Sequence, residues 1–200
     1  LVLSVKPQFY DAVIKEIKEL ITETQIIVTI APGKTLEYLA GAFEKPVKLV
    51  RTMPNTPALV GEGITGVCRN DLVTKEELDY ICNILSGFGM AQVLSENLMD
   101  VVVSVSGSSP AYVFMLIEAM ADGAVADGMP RQQAYQFAAQ AVLGSAKMVL
   151  ETGKHPGELK DMVCSPAGTT IEAVRVLEAK GFRSSVIEAM KACVKKAKGL

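Results

Sequence analysis

The densest grouping of residues able to act on a small molecule is Cys164-Ser165-Pro166-Ala167-Gly168-Thr169-Thr170-Ile171, followed by Leu177-Glu178. Pro166 and Gly168 punctuate a tight turn. Thr169 or Thr170 can cap the helix that follows, in which Ile171, Val174 and Leu177 recur at helical spacing. A helix start leaves backbone N–H groups without partners, and such groups suit an anion. Gly168 has no side chain to obstruct a ligand, and two threonine hydroxyls stand beside the donors. The chemistry implied is docking of a small carboxylate, with a hydroxyl hydrogen-bonded to its neighbouring atoms. An ordinary capped helix shows the same spacing, and the residues alone leave both readings open.

Composition narrows the setting. The chain has 200 residues, half of them hydrophobic, and a net charge of −2. That is enough for a substantial core in one or two domains. It gives no electrostatic case for nucleic acid or an anionic membrane. No unbroken run of about 18 apolar residues occurs, so no transmembrane helix is indicated. Leu1 to Val5 lacks the basic start and long apolar core of a signal peptide. Cys68, Cys82, Cys164 and Cys193 form no C-x-x-C pair, which argues against a zinc site or a redox dithiol and for free thiols in the cytoplasm. The single histidine, His155, precedes Pro156 in a predicted loop and reads as structural. The chain opens in a strand-like segment without Met, and no G-x-G-x-x-G follows a strand; the expectation is that an N-terminal Gly-rich segment is missing.

The elements that would position these residues fall into two sets. Up to Ser95, strands and helices alternate. Strands are predicted at Leu1–Val5, Gln25–Ile30, Val47–Thr52, Ile64–Cys68 and Met90–Leu94. Pro7 opens a helix whose Phe9, Val13, Ile17, Leu20 and Ile21 share a face. Further helices are predicted over Thr35–Phe43 and Thr74–Ser86, the latter with a Thr74/Glu77 capping box. This is the α/β pattern of a mostly parallel, doubly wound Rossmann-type sheet. From Glu96 onward every segment is helical: Asn97–Val105, a helix capped by Ser109 and opened by Pro110, one opened by Pro130, then Pro156–Val163, Thr170–Ala179 and Phe182–Ala197. The division is therefore 1–97 and 98–200. Met115, Leu116, Ile117 and Met120 lie on several faces of one helix, and Ala and Gly fill the next. Helices apolar nearly all round must be buried, and association of two chains is the natural way to do it.

Three motifs carry a resemblance. Ser165-Pro166-Ala167-Gly168-Thr169-Thr170-Ile171 with Leu177-Glu178, Arg51-Thr52-Met53-Pro54-Asn55-Thr56-Pro57, and Ser106-Gly107-Ser108-Ser109-Pro110-Ala111-Tyr112-Val113-Phe114 resemble, in that order, the pyrroline-5-carboxylate reductases, which make proline. The resemblance runs from Val5-Lys6-Pro7 to the last helix. That family commonly has Gly where Ala167 and Ser109 stand.

The resemblance implies a partial dinucleotide-binding domain followed by a helical dimerisation domain, and an intertwined homodimer, often gathered into larger rings. The implied activity is hydride transfer from NADPH or NADH to the C=N bond of 1-pyrroline-5-carboxylate, giving L-proline. The loops Ser4-Val5-Lys6-Pro7 and Ile30-Ala31-Pro32 match the family's cofactor-contacting positions, and Asn55 would lie near the nicotinamide. Glu96 would lie near the substrate. Gly168 and Thr169 would hold its carboxylate through backbone N–H groups, and the Thr170 hydroxyl would meet the imine nitrogen. Met162 stands where some relatives have an Asn that touches the cofactor, and a thioether cannot donate that bond. No metal is implied. Two alternatives remain in view: a dimerising fragment without activity, and a hydroxyacid dehydrogenase, which would need a poised Lys or His among Lys147, Lys154 and Lys160.

Overall fold

Runs of β-branched residues supply the strands. The computed structural model, which describes residues 1–199, assembles β1 (Val2–Leu3), β2 (Ile26–Thr29), β3 (Lys48–Met53), β4 (Gly63–Arg69) and β5 (Gly89–Val93) into one sheet whose spatial order is the chain order. β1 pairs parallel with β2, β2 with β3, and β4 with β5; β3 and β4 are antiparallel. The mostly parallel sheet expected from the alternation is present, with one reversal after the Pro54–Pro57 turn. β1 is shorter than the expected Leu1–Val5.

Alternation along each strand sorts side chains to two faces. Ile27 and Leu49 join Leu3, Tyr10, Ile14, Leu39 and Phe43 in one cluster, under α1 (Tyr10–Ile17) and α2 (Leu36–Phe43). Val28, Val50 and Val67 join Leu78 and Leu85 in the other, under α3 (Lys75–Leu85). The reversal explains the change of face: a right-handed crossover between strands pointing the other way puts its helix on the opposite side. Each fully buried Leu, Ile or Phe contributes about 1.5–3 kcal/mol relative to exposure. The Thr74/Glu77 capping box is present in both directions. The expected apolar face of α1 is corrected: Phe9 and Leu20 are exposed, while Tyr10 and Ile14 are buried. A 3-10 turn at Pro7–Phe9 shifts the phase of the helix. It brings the Tyr10 hydroxyl onto the Leu3 carbonyl, at 2.9 Å.

After β5 the chain is helical. A 3-10 turn at Glu96–Leu98, α4 (Met99–Val102), a π turn at Val103–Gly107 and α5 (Ser109–Ala126) follow without a break. Ser109 does not cap α5, because the chain before it is already helical; its hydroxyl donates back to the Val105 carbonyl at 2.7 Å. Gly66 lets this segment approach the sheet closely, since a Cβ there would meet Val102 at 3.0 Å. Then come α6 (Arg131–Thr152), α7 (Pro156–Val163), α8 (Thr169–Ala179) and α9 (Phe182–Ala197).

The chain divides into two compact units. One is Leu1–Pro110 with the chain from Met190 onward, and the other is Ala111–Ala189. Within the second, Ala121, Ala134 and Ala138 are buried, whereas Phe114, Met115, Phe137 and Leu150 are exposed. The burial expected for α5 and α6 is therefore not met within one chain. Glu96–Ala126, read as one helical stretch of 31 residues with mean hydropathy 1.4 in its most apolar window, is long and apolar enough to cross a membrane by length and composition. This revises the expectation drawn from unbroken apolar runs. Among the described residues no group of three or more His, Cys, Asp or Glu could hold a metal, and all four cysteines are free.

Candidate active site

Because β1, β2 and β3 are parallel neighbours, the loops that leave their carboxyl ends lie side by side, at the edge where open α/β sheets take ligands. Ser4, Val5 and Lys6 are exposed there, Pro7 opens its 3-10 turn, Ile30 is half-buried, Ala31 is buried and Pro32 is exposed. A hydroxyl network stiffens the floor beneath them. The Tyr10 hydroxyl donates to the Leu3 carbonyl and lies 2.6 Å from Thr29 Oγ1. Thr52 Oγ1 donates to the Thr29 carbonyl at 2.8 Å, and Thr29 Oγ1 accepts the Ala31 N–H at 3.4 Å. Lys34, on the second loop, holds its ammonium 3.8 Å from the centroid of the Tyr38 ring. Among the described residues neither Lys6 nor Lys34 forms an ion pair. Open loop backbone with two ammonium groups that no carboxylate neutralises among the described residues is a donor set that fits the ribose and phosphates of a dinucleotide. Lys34 was not singled out in the sequence, because only its cation–π contact marks it.

Asn55 is held on both sides of its amide: Oδ1 accepts the Ile64 N–H at 2.9 Å and Nδ2 donates to the Ser106 carbonyl at 3.2 Å. Glu96 is likewise engaged. Its Oε1 accepts from Arg51 Nη1 at 3.0 Å and from the Leu36 N–H at 2.7 Å, and Arg51 Nη2 lies 3.6 Å from Asp100 Oδ1. Arg51 pairs with Cys68 across β3 and β4. Burial, and then the Glu96 carboxylate, push the Cys68 thiol up to about 11, against the opposing pull of Arg51. Such a thiol is unreactive at neutral pH. The sequence reading passed over Arg51 as part of a motif, since nothing local announces that its partners lie beyond β5.

Gly168, Thr169 and Thr170 gather at the start of α8, in the second unit. Ser165 accepts the Gly168 N–H at 3.0 Å, closing a turn with Pro166 and Ala167 in the middle. Ala167 has φ +57°. Proline followed by a positive φ marks a type II turn, whose third position favours glycine. Two expectations are corrected here. Gly168, not a threonine, is the N-cap, and no side chain caps the helix. The Gly168 N–H is committed to the turn, so the free donors are those of Thr169, Thr170 and Ile171 in the first turn. Thr169 is exposed and Thr170 half-buried. His155 caps α7, its Nδ1 accepting the Gly157 N–H at 3.0 Å. Met162 is exposed, with the Lys154 ammonium 3.9 Å from its sulfur.

A mostly parallel sheet with open loops on its carboxyl edge, followed in the chain by helices with exposed apolar sides, is the arrangement of a dinucleotide-binding type of fold with a helical part suited to association. The family model for pyrroline-5-carboxylate reductase dimerisation matches residues 96–200. Pyrroline-5-carboxylate reductase of Escherichia coli K12 is 60% identical over 197 residues, 98% of this chain and 73% of that protein. The enzyme of Methanosarcina acetivorans is 47% identical over 95% of this chain and 70% of its own. The crystal structure of Plasmodium falciparum pyrroline carboxylate reductase with NADP bound superposes with a TM-score of 0.92 at 32% identity, covering 99% of this chain and 79% of that one. The chain belongs to the pyrroline-5-carboxylate reductase family. Its helical half is that family's dimerisation domain, which accounts for the uncovered apolar helices.

Proposed function

We infer that this chain transfers a hydride from NADPH or NADH to the C=N carbon of 1-pyrroline-5-carboxylate, yielding L-proline in the last step of proline biosynthesis. The observation that carries the reading is the whole-length match: a relative named for this activity aligns over 98% of the chain, across both the sheet and the helices. Bound nicotinamide supplies the hydride. Ser4, Val5, Lys6, Pro7, Ile30, Ala31, Pro32 and Asn55 would hold the cofactor, with Lys34 added to the set. The first-turn N–H groups of α8 hold the substrate carboxylate beside Gly168 and Thr169, and Thr170 donates a hydrogen bond to the imine nitrogen as the ring is reduced.

The functional division we propose is 1–97 for the dinucleotide-binding part and 98–200 for the dimerisation and substrate part. It departs from the packing units because the helical segment up to Pro110 and the chain from Met190 onward pack with the sheet. The assembly is a homodimer, and larger rings of dimers are part of the proposal, favoured by the extent of exposed apolar surface. A cytoplasmic setting is favoured by the four free thiols. Against a hydroxyacid dehydrogenase, the candidate lysines stand in solvent-exposed ion pairs, not in the desolvated setting of a poised base: Lys147 with Glu151 at 3.4 Å, Lys154 with Glu158 at 2.6 Å, and Lys160 with Asp161.

The test is imine-dependent oxidation of NADPH and of NADH by the purified protein that carries this chain, with proline identified as the product. Turnover with the imine acid and none with hydroxy acids is the expected result. No imine-dependent oxidation of either cofactor would overturn the reading.

A further inference from the structure

Arg51 is 3% exposed on β3, and a guanidinium so placed needs carboxylates to balance it. It finds Glu96 and Asp100, both beyond β5. Glu96 uses one oxygen twice: Oε1 takes Arg51 Nη1 and the Leu36 N–H, sixty positions away in the chain. Leu36 is the first residue of α2, and its neighbour Thr35 accepts the Tyr38 N–H at 3.0 Å. Two first-turn donors of α2 are thus satisfied by side chains, one local and one brought in from the segment after β5. The start of α2 is also the end of the loop that begins at Ile30. That loop is pinned at its other end by the Thr29 hydroxyl on the Ala31 N–H.

We propose that Arg51 and Glu96 are positioning residues for the nucleotide loop Ile30–Thr35. Arg51 fixes the Glu96 carboxylate, and Glu96 fixes the first turn of α2 and with it the loop. Glu96 therefore governs cofactor affinity and does not contact the imine acid, unlike the role the family resemblance implies for it. The inference rests on the reading of that loop as a cofactor contact. Asp100 holds the outer side of the guanidinium and keeps it balanced when Glu96 is changed.

Glu96→Ala and Glu96→Gln in the intact protein test this. The amide keeps an oxygen for the Leu36 N–H and loses the charge; alanine loses both. NADPH Kd, measured by direct titration of its fluorescence, should weaken about 10-fold in Glu96→Ala and recover most of that in Glu96→Gln. KM for the imine acid should change less than about twofold. Amide exchange at Leu36 in the nucleotide-free protein should quicken in Glu96→Ala and stay near wild type in Glu96→Gln, and this readout applies whether or not a variant turns over. Unchanged NADPH affinity in the alanine variant, unchanged exchange at Leu36, or a rise confined to the imine KM would each overturn the proposal. A wild type that binds NADPH but reduces no imine would sink the proposed activity while leaving the positioning role standing. A wild type that binds no nucleotide would overturn this inference as well.

Discussion

At Ala167 the chain accepts a left-handed backbone, φ +57°, that costs an L residue about 1–2 kcal/mol. Ala167→Gly should relieve that strain, less the added freedom of glycine in the unfolded chain, for a net gain of roughly 0.5–1 kcal/mol. Denaturant melts of the two proteins measure it; a destabilised glycine variant would mean that the turn is not strained. Three residues on, the structure separates two roles that the sequence left entangled. Gly168 is the N-cap, so removing the Thr170 hydroxyl takes away no cap. Thr170→Ala should then lower kcat/KM for the imine acid by about 10- to 100-fold with little change in melting, and Thr170→Ser should recover most of it. Unaltered kinetics would make Thr170 a structural residue. The hydroxyls and the helix start were legible in the sequence because they are adjacent. The commitment of the Gly168 N–H to Ser165 was not, since it depends on the dihedral angle that Ala167 adopts. The double engagement of Glu96 was not either, because its partners are on β3 and α2.

Local interactions made some elements readable. The Thr74/Glu77 box needs only four consecutive residues, and it forms as expected. The Lys48 ammonium, with the Thr74 N–H, holds the Glu77 carboxyl below its ordinary range. A carboxyl depressed in the folded state gives stability that is present above its unfolded pKa and lost as pH falls through the folded one. Where a tertiary partner decides, the sequence misleads: the Tyr10 hydroxyl, drawn to Leu3 and Thr29, sets the buried face of α1. Asn55 shows the same dependence between elements. Its amide joins the Ile64 N–H of β4 to the Ser106 carbonyl of the π turn, so the proline-rich loop is fixed from two sides. Asn55→Ala removes both bonds, one exposed and one part-buried, and should cost about 0.5–1.5 kcal/mol, read from thermal melts. A loss below that range would show that water replaces the amide.

For the molecule as a whole, exposure decides. Phe114 is 62% exposed, Phe137 68% and Leu150 75%, on helices that the family model assigns to dimerisation. Burying one such side chain contributes about 1.5–3 kcal/mol. Sedimentation of the full chain at micromolar concentration should show a dimer, and Phe137→Glu should weaken it by at least roughly 10-fold. A well-folded wild-type monomer would contradict this. The change from alternating strands and helices to helices alone, and the helices apolar nearly all round, made the two-part architecture and its need for a second chain readable; which faces stay uncovered depends on tertiary packing that no local pattern records. The sheet has a further consequence, for the order of events during synthesis. Its spatial neighbours are chain neighbours throughout, so each strand can dock on the one before it as it leaves the ribosome. The end of α9 breaks that order: the Cys193 thiol lies 3.2 Å from Ser108 Oγ, and the Ala197 carbonyl lies over Gly33 of the nucleotide loop. The surroundings of the loop after β2 are thus completed only when a helix that follows every strand of the sheet has been made.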